Sequence, residues 1–194
     1  MPIISSADPR LTWTGTLSLE TTSNATKPWR IPHQDLDLFS PGVSELAGRA
    51  EMPSGVRLRF ATNARALTVA CEPFAENGNF DLVINNEIVA TAAFAAGDSD
   101  VHFADLPAGD KTVEVWLTPA MPVAVRHIDL PDGCNISPDE DNRLKWITYG
   151  SSITHCRTAG SPATTWPGVV ARGKNLNLNS LRSEEHTSEL QSPC

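Results

Sequence analysis

The sequence predicts a mainly β protein: an antiparallel β-sandwich of jelly-roll type, followed by the first β-α-(β) of an α/β layer. Three observations carry this. Apolar and polar residues alternate with period two in short runs, spaced at roughly ten-residue intervals, through the first 130 positions. Turn residues separate the runs, and proline recurs at positions where a long helix would have to pass. Beyond PDGCNISPDEDNRL (131–144), rich in Pro, Gly, Asp and Asn, the pattern becomes strand, Ser-bearing loop, helix and strand.

Taken in order, the start MPIISSADPRLTW has neither the basic nor the apolar segment of a secretory signal, which predicts a cytoplasmic chain. In HQDLDLF, Asp35 and Asp37 alternate with Leu36 and Leu38 and read as a solvated strand face rather than a metal site. SELAGRAEM (44–52) has local helical spacing and reads as a loop or a short helical turn. In GVRLRFAT, Val56, Leu58 and Phe60 alternate with Arg57, Arg59 and Ala61, the period of a half-buried strand. Leu67, Val69 and Cys71 repeat it, as do Phe80, Leu82 and Ile84, and then Val113, Val115 and Leu117. Asn77-Gly78, Asn85-Asn86, Ala108-Gly109-Asp110 and Asp132-Gly133 supply the turns. About nine strands are expected before residue 131.

These readings divide the chain into a sandwich domain (1–135), a linker (136–142), the beginning of an α/β domain (143–181) and a tail (182–194). KWITYG is a short apolar strand ending in glycine. SPATTWPGVVARGKN reads as a helix with Ser161 as N-cap and Pro162 in the first turn; Pro167 moves its regular part to near Trp166. Gly173 stands where a C-terminal glycine belongs, and LNLNSL is a second strand. Two or three elements of a parallel sheet cannot bury both faces, so 143–181 is expected to pack poorly.

Composition narrows the function. A net charge of −8 over 194 residues excludes a nucleic-acid or anionic-membrane partner, which would need clustered Lys and Arg. Hydrophobic content of 40% and charged content of 20% are those of a globular domain. No apolar stretch has the length of a membrane span. Cys71, Cys134, Cys156 and Cys194 form no C-x-x-C pair and no zinc spacing, and fit a reducing compartment. The sequons at Asn24 and Asn135 are no more than chance supplies. His33, His102 and His127 read as structural or surface residues, and the five spread tryptophans as packing groups rather than a sugar-stacking platform.

The tail is a separate matter. RSEEHTSELQS (182–192) resembles the in-frame translation of a common short-read sequencing adapter over its whole length. It is set aside from fold reasoning, and His186 and Cys194 with it. The natural protein is then expected to continue past Leu181.

The chemistry lies in WITYGSSITHC (146–156). A serine hydroxyl becomes a useful nucleophile when a base takes its proton and dipoles stabilise the oxyanion. A strand–loop–helix junction with small neighbours exposes it beside open backbone N–H groups. Ser152, between Gly150-Ser151 and Ile153-Thr154, meets these local needs, although Thr154 stands where a G-x-S-x-G elbow has its last glycine.

YGSSITHC followed by SPATTWPGVVAR resembles the first conserved block of the SGNH (GDSL-type) hydrolase superfamily. RIPHQDLDLFSP, GVRLRF and LPAGDKTVEVWLTP are similar to the N-terminal β-sandwich of a two-domain esterase subgroup. The resemblance implies a flavodoxin-like α/β/α domain of which only the start is present. It makes Ser152 the nucleophile, with its N–H as one oxyanion donor, on a loop supported by Gly150, Ser151 and Thr154. Ser151 replaces the Asp common in the family. The block-two Gly, the block-three Asn and the D-x-x-H pair that complete such a site do not occur after Ser152, and His155 does not match the family's catalytic His. The resemblance further implies carboxylic esters as substrates, acetylated carbohydrates among them, with no metal and no organic cofactor. It leaves the oligomeric state open. Without base and full oxyanion hole, this chain is expected to be inactive. The competing expectation is a non-catalytic module, in which the sandwich binds carbohydrate through exposed aromatics and GSSIT is only a turn; in a third, the sandwich merely supports the hydrolase domain.

Overall fold

The alternating runs become two six-stranded antiparallel sheets in the computed structural model, which describes residues 2–39 and 44–182. Their strands are β1 (Ile3–Ser5), β2 (Thr12–Thr14), β3 (Ser18–Thr21), β4 (Thr26–Trp29), β5 (Arg57–Thr62) and β6 (Leu67–Cys71). β7 (Gly78–Ile84), β8 (Glu87–Phe94), β9 (Asp100–Phe103), β10 (Lys111–Trp116), β11 (Val125–Asp129) and β12 (Ile136–Ser137) complete them. One sheet runs β3-β4-β11-β6-β9, with β1 beside β11. The other runs β12-β5-β10-β7-β8, with β2 beside β5. The expected class holds, with short strands added to those the alternation marks.

Inward residues of both sheets form one core. Leu58, Phe60, Phe80, Leu82, Val113 and Val115 meet Val69, Cys71, Val101, Phe103, Val125 and Ile128. Phe74, Phe80 and Phe94 close one end as an aromatic cluster. Asn85 (φ 51°) and Asn86 (φ 66°) make the tight turn between β7 and β8, since asparagine tolerates the left-handed region that a two-residue hairpin requires.

Two local readings change. HQDLDLF is not a strand: His33–Asp35 is a 3-10 turn leading into α1 (Leu36–Phe39). Its four alternating positions are too few to tell period two from one helical turn. SELAGRAEM takes the helical of its two alternatives as α2 (Ser44–Ala50).

Beyond the sandwich, β13 (Leu144–Gly150), α3 (Ser152–His155), α4 (Trp166–Gly173) and β14 (Leu176–Arg182) form a β-α-β unit. The strands are parallel, with Trp146 opposite Leu178 and Gly150 opposite Arg182. The helix cap differs from expectation. Thr165, not Ser161, caps α4, its Oγ1 accepting from Gly168 N–H at 3.2 Å. Ser161 instead donates to the buried Asp81 carboxylate, which also accepts from Ala163 N–H (2.7 Å) and Thr91 Oγ1 (2.7 Å). Asp81 thus pins the loop before α4 to β7. At the other end Asn175 (φ 53°), rather than Gly173, takes the left-handed position.

This unit docks on the outer face of β10 and β7. Val83 and Trp116 from the sandwich join Ala163, Ala171 and Leu178 in a second core, with Trp146 packed against it. β14 lies on the docked side. Its Leu178 and Ser180 carbonyls accept from the guanidinium groups of Arg57 (3.0 Å) and Arg30 (2.9 Å), which cover an otherwise unpaired edge. The opposite side is open: Leu144, Ile147 and Tyr149 of β13 are 78%, 61% and 75% exposed. The expectation of poor packing therefore holds for β13 and for Ile153, Val169 and Val170 of the helices, which are also exposed, and not for the docked side.

Residues 136–142 are themselves docked. β12 pairs with β5, and Asp139 and Asp141 enter an ion cluster with Arg57, Arg59, Glu114 and Arg143. Three guanidinium groups face three carboxylates. Arg57 is fully buried, stacked 5.0 Å over Trp116, and bonded to Asn177 Oδ1 at 2.8 Å. Burial pulls its guanidinium below its usual value, opposed by Glu114 and Asp141.

Candidate active site

β13 delivers the Ser152 loop to its carboxyl-terminal end, where open parallel sheets bind ligands. Gly150 closes the strand against α3. A Cβ there would lie 2.3 Å from Thr154 Oγ1 and 3.2 Å from its Cβ, so a side chain at 150 would force the buried Thr154 side chain aside. Gly150→Ala is expected to displace α3 and to cost about 1–3 kcal/mol. Chemical denaturation compared with the parent chain checks this; a loss below about 0.5 kcal/mol would contradict it.

Ser151 adopts extended geometry before the helix (φ −83°, ψ −156°), and its carbonyl accepts from Thr154 and His155 N–H at 3.0 and 3.2 Å. Ser152 is the first residue of α3 and is exposed. Its N–H and that of Ile153 belong to the first turn, where no intrahelical acceptor exists, so both are open to a ligand oxygen. Cys156 ends the turn in the left-handed region (φ 56°), with its N–H on Ser152 O at 3.0 Å. Burial pushes the Cys156 thiol up, only partly offset by the Trp166 backbone hydrogen bond.

The hydroxyl opens on a cleft of about 560 Å³ lined by Ile153, Cys156, Arg157 and Thr164–Trp166. Trp166 forms one wall, fixed by its Nε1–H on Ile153 O (3.0 Å) and by edge contact with Trp146. Arg157, Thr158 and Ala159 also line a neighbouring cavity of about 740 Å³ at the sandwich rim, with Glu76, Asn77, Asn79 and Asp98. Arg157 donates to Ala120 O (3.0 Å) and pairs with Glu76 (3.2 Å).

Among the described residues, no histidine or carboxylate lines the Ser152 cleft or bonds its hydroxyl. His155 turns away and is 1% exposed. Arg30 can only donate, so His155 Nδ1 accepts from it (3.3 Å), and Nε2–H donates to Pro119 O (2.9 Å). Both ring nitrogens are engaged in the sandwich interface. The expected loop residues Gly150, Ser151, Ser152 and Thr154 lie together at the strand end. The residues that hold this loop in place, Arg30, Ser54 and Pro119, carry no local sequence signal: they lie between 36 and 125 positions away in the chain from their partner, His155.

Among the described residues there is no cluster of three or more His, Cys, Asp or Glu able to hold a metal, and no helix long and apolar enough to cross a membrane. Residues 183–194, nearly all of the tail, lie outside the described residues.

A β-sandwich joined to the opening of an α/β layer is a fold this chain shares with proteins described as an acyltransferase, a GDSL-like lipase and a carbohydrate esterase. The profile of the SsfX3 N-terminal domain matches residues 11–127, more than half of the chain, and the chain belongs to that family. It is similar to the salicylyl-acyltransferase SsfX3 from a tetracycline biosynthetic pathway, with 35% identity and a TM-score of 0.83, over 94% of this chain and 55% of that one. A Bacteroides ovatus protein described as a GDSL-like lipase shares the fold at 16% identity and a TM-score of 0.67, over 90% and 55% of the two chains. A family two carbohydrate esterase from Cellvibrio japonicus does so at 13% and 0.59, over 93% and 52%. The chain thus spans little more than half the length of these proteins. No curated protein matches it.

Proposed function

We propose that this chain carries the nucleophile position of a serine acyl-transfer enzyme, with Ser152 as the attacking residue, and that residues 1–194 by themselves do not turn over. The observation that carries the reading is the exposed Ser152, first in its helix, at the carboxyl end of β13 and on the wall of a cleft. In the complete reaction Ser152 Oγ attacks an ester carbonyl, and the oxyanion accepts from Ser152 N–H. The proton passes to a base, the alcohol leaves as the carbonyl carbon–oxygen bond breaks, and the acyl group moves from Oγ to water or to a second alcohol. Carboxylic esters are the substrate class, acetylated carbohydrates among them. The similarity to a protein named a salicylyl-acyltransferase supports acyl transfer as the reaction class. The polar rim of Glu76, Asn77, Asn79 and Asp98, continuous with the cleft through residues 157–159, suits a hydroxyl-rich alcohol portion.

Among the described residues no histidine or carboxylate lines the cleft, which supports the inactivity of this chain. Its hydrolysis of p-nitrophenyl acetate is expected to equal that of its Ser152→Ala variant; a rate well above the variant would overturn this. The alternative carbohydrate-binding module requires exposed aromatics on a sheet face. Trp29 and Trp116 are 4% and 1% exposed, Trp13 packs against the core, and the exposed large apolar residues of the described sandwich are aliphatic. The catalytic reading has the better support.

A further inference from the structure

We infer that His155 is a positioning residue for Ser152: a neutral imidazole that clasps the nucleophile's turn onto the sandwich. The inference rests on the reading of Ser152 given above. α3 is a single turn of four residues, and a helix that short does not persist without tertiary support. Its support comes largely from the sandwich and converges on one residue. Arg30 donates to Nδ1, Nε2–H donates to Pro119 O, and Ser54 Oγ donates to the His155 carbonyl at 2.8 Å. Ser180 of β14 donates to the preceding Thr154 carbonyl at 3.5 Å.

The donors fix the chemical state. A guanidinium offers only N–H groups and a proline carbonyl only lone pairs, so the clasp needs Nδ1 bare and Nε2 protonated. A doubly protonated ring would set an N–H against Arg30, and the other neutral tautomer would leave both contacts mismatched. Arg30 is placed for this part: its other N–H groups bond Met52 O (2.7 Å), Arg49 O and Ser180 O (2.9 Å). One buried guanidinium thereby joins the end of α2, β14 and the nucleophile's turn. The chain continues along the same surface, with Arg157 on Ala120 O and Asn79 on Gly160 O. The sandwich therefore sets where Ser152 stands, and His155 is the point of transmission.

Two measurements on residues 1–194 test the clasp. Long-range ¹⁵N NMR is expected to show the His155 ring neutral with its proton on Nε2. Amide hydrogen exchange at Thr154, His155 and Cys156, whose N–H groups close the turn on Ser151 O and Ser152 O, reports its integrity. His155→Leu, which removes both ring contacts, is expected to speed exchange at residues 154 and 156 and at the new residue 155 at least about ten-fold, with the β10 amides unchanged. His155→Gln, which can still donate to Pro119 O, is expected to restore part of the protection. Should His155→Leu unfold the whole chain, Ser54→Ala, which removes one hydroxyl donor to the turn, is expected to give the same selective loss in smaller degree. Unchanged protection in the variant that folds, or an Nδ1–H or doubly protonated ring in the parent chain, overturns the assignment. Neither measurement involves acylation, so a serine that proves not to be the nucleophile would leave these outcomes where they stand.

Discussion

Replacing Arg57 by alanine is expected to cost about 3–5 kcal/mol and to release residues 143–182 from the sandwich. The side chain is fully buried and belongs to the balanced cluster of three guanidinium groups and three carboxylates. Its removal leaves Glu114 (3% exposed) and the Asp141 carboxylate with one cation too few. It also strips the Gly55 and Leu178 carbonyls and Asn177 Oδ1 of a donor and opens the edge of β14. Removing one partner of a buried ionic group is far more damaging than replacing the whole group by well-packed apolar residues. Urea denaturation followed by tryptophan fluorescence should therefore show a lower midpoint, and hydrogen exchange should show selective loss in β13 and β14. Combining Arg57→Met with Asp141→Asn should recover part of the loss, because the surplus charge is then removed as well. A change below about 1 kcal/mol in Arg57→Ala would show that the cluster does not hold the interface.

The same cluster gives the docking a pH dependence. Burial raises the Asp141 carboxyl, but the hydrogen bonds and charge of Arg143 and the charge of Arg57 outweigh it, so the group titrates below its usual value in the folded chain. Its folded value is depressed, so the stability it contributes is complete above the unfolded carboxylate value of about 4 and disappears as pH falls through the folded value.

Arg57 also marks the limit of what the sequence discloses. Alternation in GVRLRFAT identifies Leu58 and Phe60 as core residues, and both are fully buried. The same alternation assigns Arg57 and Arg59 to a water-facing side, yet that side is covered by residues 139–143 and 177–178. A period-two pattern tells one face from the other without saying what covers the polar one. A cross-strand signal does exist, since Arg59 stands opposite Glu114 in register, but register is a product of the fold. The composition of 131–144 reads as a linker for the same reason: Asp and Arg serve equally in solvent and in a buried ion cluster. The Ser152 loop was legible because its requirements are local: a strand end, a glycine and a helix start. Its supports were not, because Arg30 and Pro119 reach His155 only through the folded sandwich.

The second large effect concerns Ser152 in a completed site. Joining residues 1–182 to the remaining portion of the salicylyl-acyltransferase relative, which this chain matches at 35% identity over 55% of that protein's length, is expected to complete the α/β layer. In such a chimera Ser152→Ala is expected to lower ester cleavage by at least about 10³-fold, the loss usual when an activated nucleophile is removed while binding and oxyanion contacts remain. Gly150, Thr154 and the His155 clasp remain in the serine-to-alanine comparison, so the difference isolates the hydroxyl.

Fluorophosphonate labelling, read by intact mass and peptide mapping, tests the central claim most directly. The account predicts one adduct per chimera, located on Ser152 and lost in Ser152→Ala, and none on residues 1–194 alone. A folded chimera that stays unlabelled, or an adduct that persists without the Ser152 hydroxyl, would contradict it.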